Sequence, residues 1–264
     1  MAHEEQLNFV KTIKDEINIS NFKNLKVLEI GSYGSGAIRK IFNVDEHKGF
    51  DLIMGPGVDF IYDGVNLDLR DEVFDIVISC ECFEHDPNWE NTFKNMIKYT
   101  KSEGIVIVTC ASRGRVEHGT FRSDPTHSPG TNAIGINHYR NLVKSDFERS
   151  FDLNSIFEDH FFINQKSSKD LDFIGVVNSK NQIKSKIKID LSNLRTKVLN
   201  NQKLIKNKRK DSLKKIIMLI LRNFDLPLKK ILLLQKSESL YQVYMLIRRK
   251  LLLKISNRDS KESS

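Results

Sequence analysis

The stretch VLEIGSYGSG, Val27 to Gly36, decides the fold. Lys26 to Ile30 is a short, mainly apolar run that ends in a glycine cluster, the pattern of a buried strand running into a tight loop. Gly31, Gly34 and Gly36 let backbone approach a ligand closely, and a helix across Gly36 to Phe42 would offer its free N–H groups to that ligand. A loop of this kind fits three uses: a plain turn between strand and helix, a dinucleotide site, or a site for a methyl donor.

Outward from this loop the chain alternates. Residues 4–18 place Leu7, Val10, Ile13 and Ile17 at helical spacing ahead of the first strand. A second strand, His47 to Ile53, carries Asp51 at its end, and a third, Val58 to Tyr62, ends in Asp63. Phe74 to Ser79 (FDIVIS) is a fully buried strand pattern, followed by a helix from Asn88 to Thr100 that starts beyond Pro87. Gly104 to Thr109 (GIVIVT) is the next buried strand. Strands alternating with helices predict a parallel, doubly wound α/β sheet. A helix at Leu142 to Phe151 and two closely spaced strands, His160 to Asn164 and Leu171 to Val177, should close it with an antiparallel hairpin at the edge.

Acids at three successive strand ends separate the three uses of the loop. Glu29 stands two residues before the first glycine, where an anion suits the amino-acid end of S-adenosylmethionine and repels a diphosphate. Asp51, about 20 residues beyond the loop, is placed to accept both ribose hydroxyls of either cofactor. Asp63 could take a hydrogen bond from an adenine amino group, although each aspartate taken singly reads equally well as a turn residue.

With VLEIGS at the first strand, FDIVIS at the fourth and ECFEH directly after it, residues 24–179 resemble the class I S-adenosylmethionine-dependent methyltransferases, particularly the small bacterial type. The resemblance implies a Rossmann-like, mostly parallel seven-stranded sheet with an antiparallel last strand. It implies that Glu29, Gly31 and Ser32 hold the methionine part of S-adenosyl-L-methionine, Asp51 the ribose and Asp63 the adenine, with Tyr33, Gly34, Gly36, Leu52 and Gly64 also expected among the cofactor-binding residues. Cys80, Glu81 and Phe83 would line the mouth shared by cofactor and substrate. GSYGSG departs from the usual GCGTG by one extra residue.

Between Cys110 and Leu142 lies a long glycine- and proline-containing stretch over the edge where open α/β sheets bind ligands, and long loops there are usually functional. Methyl transfer is an in-line displacement on an activated sulfonium, so alignment supplies much of the rate. A hydroxyl acceptor also gains from a general base, for which imidazole is suited near neutrality. His118 or His127 is the expected base, with His85 of ECFEH third. The Glu, Asp and His spacings carry no metal-ligand signature, so no metal is expected. Cys80, Cys82 and Cys110 read as small buried residues rather than a thiolate site.

Charge divides the chain. Residues 181–264 hold 22 Lys and Arg against 6 Asp and Glu, leaving 20 against 28 for the rest. That pattern predicts a methyltransferase domain over 1–180 and a basic helical extension over 181–264 with a disordered end. Residues 212–256 interleave cations with large aliphatic side chains, the composition of a helix lying on an anionic membrane surface or packing on protein in an oligomer. Nucleic acid is disfavoured, because the aliphatic content exceeds what phosphate contacts need. With no secretory leader pattern, few cysteines and no apolar run long enough to cross a bilayer, the expected place is the cytoplasm, peripheral on the inner membrane face.

The expected activity is O-methylation of a sugar or glycan intermediate at that face. Quinone, lipid or another small molecule are alternative acceptors, and a scaffold without catalysis is the alternative of another class. A nicotinamide-dependent dehydrogenase is a further competitor for the glycine loop.

Overall fold

A computed structural model describes residues 4–34, 36–179, 183–205 and 207. The first helix, α1 (Glu4–Glu16), has Glu4 and Glu5 in its first turn and Lys14 in its last, the charge order that suits a helix dipole. It is followed by β1 (Lys26–Ile30), α2 (Ala37–Phe42), β2 (Glu46–Asp51), β3 (Phe60–Ile61) and β4 (Phe74–Cys80). Then come α3 (Trp89–Lys98), β5 (Thr100–Ala111), the short helices α4 (Pro129–Ala133), α5 (Lys144–Ser150) and α6 (Leu153–Ile156), and the hairpin β6 (Phe157–Gln165) and β7 (Asp170–Val177).

The seven strands lie in the order β3-β2-β1-β4-β5-β7-β6. Five run parallel in sequence through β5, while β7 pairs antiparallel with both β5 and β6. The sheet is thus mostly parallel and closed by an antiparallel strand, as the alternating pattern predicts. Alternation along the central strands splits the core. Leu28, Ile30, Val77, Val106 and Phe173 face α3 and α5, while Val27, Ile76, Ile78, Ile107 and Ile174 face α1 and α2.

Several element boundaries differ from the sequence pattern, the first hairpin strand among them, which runs from Phe157 and not from His160. The third strand has two residues, not five, because GPG at 55–57 is occupied by the turn that closes on the glycine loop, and Phe60 and Ile61 form an exposed edge. The second strand stops at Asp51, whose side chain accepts from the Leu52 amide and turns the chain there. The fifth strand begins earlier, at Thr100, across an irregular register next to Glu103 and Gly104.

One compact unit runs through Gln202, beyond position 180 where the composition changes. Lys188 pairs by backbone with Asn18, and Ser185 Oγ donates to the buried Asp75 carboxylate at 2.7 Å. Residues 191–202 are helical, and Leu191, Leu194 and Val198, at helical spacing, are buried against the α1 face of the core. The basic segment 212–256 lies outside the described residues. Among the described residues no helix is long and apolar enough to cross a membrane.

Candidate active site

The chain leaves the sheet outward through β1, β2 and β3 and then jumps back to β4, so strand order reverses between β1 and β4. Connections leave in opposite directions at such a point and open a crevice beyond the strand ends. A cleft lies there. Its floor is the loop Gly31 to Gly36, one wall is Asp51 and Leu52 with Asp63 and Gly64, and the other is Cys80, Glu81 and Cys82.

Gly31 makes the first turn possible. Its φ is +77°, and a Cβ there would come within 2.7 Å of Cys82 Cβ. At Gly34 and Gly36, both also with positive φ, a Cβ would meet nothing, so that side of the loop is open toward the cleft. Gly31→Ala is expected to lose at least the ~1–2 kcal/mol of a left-handed alanine and to weaken S-adenosylhomocysteine binding. Thermal unfolding and calorimetric titration would measure the two effects, and an unchanged affinity would mean that the ligand does not lie on this turn.

Glu29 is buried in the cleft wall, with one oxygen 2.9 Å from His47 Nε2. Burial raises its pKa, and the imidazole contact works against that rise. His47 is a partner that the sequence reading missed. It alternates with polar residues on a half-buried strand, and only the β1–β2 pairing brings it beside Glu29. Asp51 accepts from the amides of Tyr33 at 2.9 Å and Leu52 at 2.7 Å, which fixes its carboxylate at the strand end. Burial raises its pKa, opposed by these amides. Asp63 is exposed and accepts from the Val65 amide and the Asn66 side chain, holding the turn after β3 while lining the cleft.

Glu81 sits at φ +53°, just past β4, and its carboxylate takes the Gln6 amide and faces Arg115 at 3.5 Å. Phe83 does not line the mouth. It is buried against Phe93 and Phe147 on the α3 side, and Cys82 takes the place beside the cleft. Burial raises the pKa of all three thiols, the behaviour of core cysteines rather than of nucleophiles.

The segment 125–136 covers the cleft from above. Gly130 lies so close to Asp51 that a Cβ would come within 2.7 Å of its Oδ1, and Ser128 and Thr131 hydroxyls pair at 2.6 Å beside it. Of the three candidate histidines, His85 and His127 line the cleft, whereas His118 stands behind His85. His127 is more than half exposed, with Nε2 3.8 Å from Asp124. His85 is largely buried, and that burial lowers its pKa to about 4.

Residues 41–108, from the end of α2 to within β5, match the family model described as a methyltransferase domain. The strand order, with a cleft at its reversal, is the fold expected of such a domain. Residues 41–108 are thus similar to a methyltransferase domain. No curated protein matches the sequence. Among solved structures, the methyltransferase crystallised with the Trm112 activator of Haloferax volcanii is 12% identical, with 68% of this chain and 92% of that chain covered and a TM-score of 0.45. YcgJ of Bacillus subtilis is 15% identical, covering 67% and 99%, with a TM-score of 0.45. The N-methyltransferase NodS of Bradyrhizobium japonicum, solved with S-adenosyl-L-homocysteine, is 13% identical, covering 66% and 85%, with a TM-score of 0.42. The cleft bears five carboxylates, from Glu29, Asp51, Asp63, Glu81 and Asp86, and no Lys or Arg among the described residues that line it. S-adenosylmethionine, with its sulfonium and ammonium, fits such a lining; the diphosphate of a dinucleotide does not.

Proposed function

We propose that the chain transfers the methyl group of S-adenosylmethionine to a hydroxyl of a sugar or glycan intermediate. The observation that carries the donor half is the acidic cleft, which no Lys or Arg lines among the described residues. Gly31 to Gly36 and Glu81 would hold the methionine part, and Asp51, fixed by two backbone amides, would accept from the ribose. Asp63 and Gly64 also line the cleft and would meet the adenine.

The acceptor half rests on the groups around the mouth. Asn88, His127, Ser128 and Thr131 present amide, imidazole and hydroxyl groups, suited to a neutral polyhydroxylated molecule. His127 is the general base in this reading, since it alone of the two cleft histidines is largely open to an incoming acceptor. A second reading, an apolar or lipid-borne acceptor, is favoured by Val116, Phe121 and Ile134. These side chains are 80%, 61% and 51% exposed on the same connection. The basic aliphatic segment 212–256 adds the inner membrane face as the place of reaction.

Donor carrying a labelled methyl group, incubated with the chain and fractionated cell extract, should label polysaccharide or its lipid-linked precursors in an alkali-stable form, as a methyl ether is. Label confined to RNA or protein would sink the acceptor reading. No transfer at all, with S-adenosylhomocysteine still bound, would favour a scaffold.

A further inference from the structure

We propose that Glu84, His85 and His118 form a binding site for one divalent transition-metal ion, Zn2+ foremost, in the wall beside the donor cleft. Each of the three offers one ligand atom, and these atoms lie within 4.8 Å of one another. Two imidazoles and one carboxylate are a donor set that Zn2+ takes with a fourth position left open. Zn–N and Zn–O bonds of ~2.0–2.2 Å place tetrahedral ligands roughly 3.4 Å apart, so side-chain rotation has to draw the ligand atoms closer around an ion. His118 Nε2 already stands 4.0 Å from Glu84 Oε1.

Glu84 is the second observation. It is fully buried, and neither carboxylate oxygen has a hydrogen-bond partner. Such a carboxylate is either held protonated or answered by a cation. Arg115, the nearby guanidinium, faces Glu81 at 3.5 Å and Asp170 at 3.3 Å.

The His118 imidazole is set in the tautomer that a metal requires. His118 Nδ1 lies 3.1 Å from the Val116 carbonyl, so the proton belongs on Nδ1 and the lone pair on Nε2, toward Glu84. The buried Nδ1 of His85 has no partner. A backbone carbonyl holding the far nitrogen is the usual support of a metal-binding histidine. Tyr139 adds to this support. Its ring packs 4.9 Å from His118 and 5.5 Å from His85, and its hydroxyl donates within 3.2 Å of the same Val116 carbonyl.

His85 belongs to the cleft wall, so an ion bound here lies beside the bound donor and could act as a Lewis acid on an acceptor hydroxyl. That use rests on the methyl-transfer reading; the binding does not. The test therefore reads metal and not product.

Full-length chain, stripped with chelator and dialysed against Zn2+, should retain one ion per chain by elemental mass spectrometry. With Co2+ it should show the intense visible absorption of a tetrahedral site. Glu84→Gln, which keeps the size of a side chain that is buried without partners, and His118→Ala, at a half-buried position, should each lower the affinity by about 100-fold or more and abolish the Co2+ band. A wild-type chain that takes up no ion overturns the proposal. So does an ion whose affinity and spectrum both variants leave unchanged.

Discussion

Replacing His127 by alanine is expected to slow methyl transfer by ~10²- to 10⁴-fold, the usual contribution of a general base, and to leave S-adenosylhomocysteine binding within about twofold. The two effects separate because His127 reaches the cleft from the covering segment, whereas in the proposed reading the donor would rest on the loops after β1 and β2. Asp124, 3.8 Å from Nε2, is positioned to stabilise the imidazolium that forms when the acceptor proton is taken. Its own carboxyl is held below the ordinary range by hydrogen bonds from the Thr126 side chain and amide. Asp124→Asn should therefore reproduce part of the His127 loss in kcat with an unchanged KM. Single-turnover kinetics with a fixed acceptor would measure both. If His127→Ala retained full kcat, alignment alone would carry the reaction and the base would be unnecessary.

The parts of this site that the sequence made legible are those written in consecutive residues. FDIVIS reads as a buried strand because every side chain on both faces is packed, and VLEIG leads directly into glycines that only a tight turn explains. The closing hairpin was legible from two strand patterns with a short link. What escaped depends on the chain meeting itself. Glu29 and His47 are eighteen residues apart and touch only through strand pairing. ECFEH shows two glutamates that local pattern cannot tell apart; the fold sends Glu81 toward Gln6 and Arg115, and buries Glu84 beneath two imidazoles. Residues 183–202 resemble the basic segment that follows, yet Ile187, Leu191, Leu194 and Val198 complete the α1 side of the core. Spaced so thinly among lysines and polar residues, they give little sign of a buried face.

The same contrast sets the largest expected effect on stability. Phe93 is fully buried near the middle of α3, and its ring lies 5.0 Å from Phe151, 5.4 Å from Phe147, 5.6 Å from Phe173 and 6.2 Å from both Phe83 and Phe157. Those partners belong to α5, the two hairpin strands, the turn after β4 and the residue closing α5. One side chain thus ties the antiparallel edge to the parallel body. Phe93→Ala removes the apolar surface and leaves a void whose walls are five other rings, each already wedged against its neighbours. Large-to-small changes of this kind cost about 3–5 kcal/mol, toward the upper end where the walls cannot collapse, and each lost edge-to-face contact adds to the burial loss without being strictly additive. Urea unfolding should show the midpoint falling at an unchanged slope, whereas Phe121→Ala, at an exposed position, should stay within about 0.5 kcal/mol of the parent. Since Phe83 follows Cys82 in the turn that packs on Gly31, the Phe93 void should also loosen the donor loop. A loss below about 1.5 kcal/mol would mean that the cluster repacks, and that β6 and β7 are held by their backbone ladder rather than by this aromatic core.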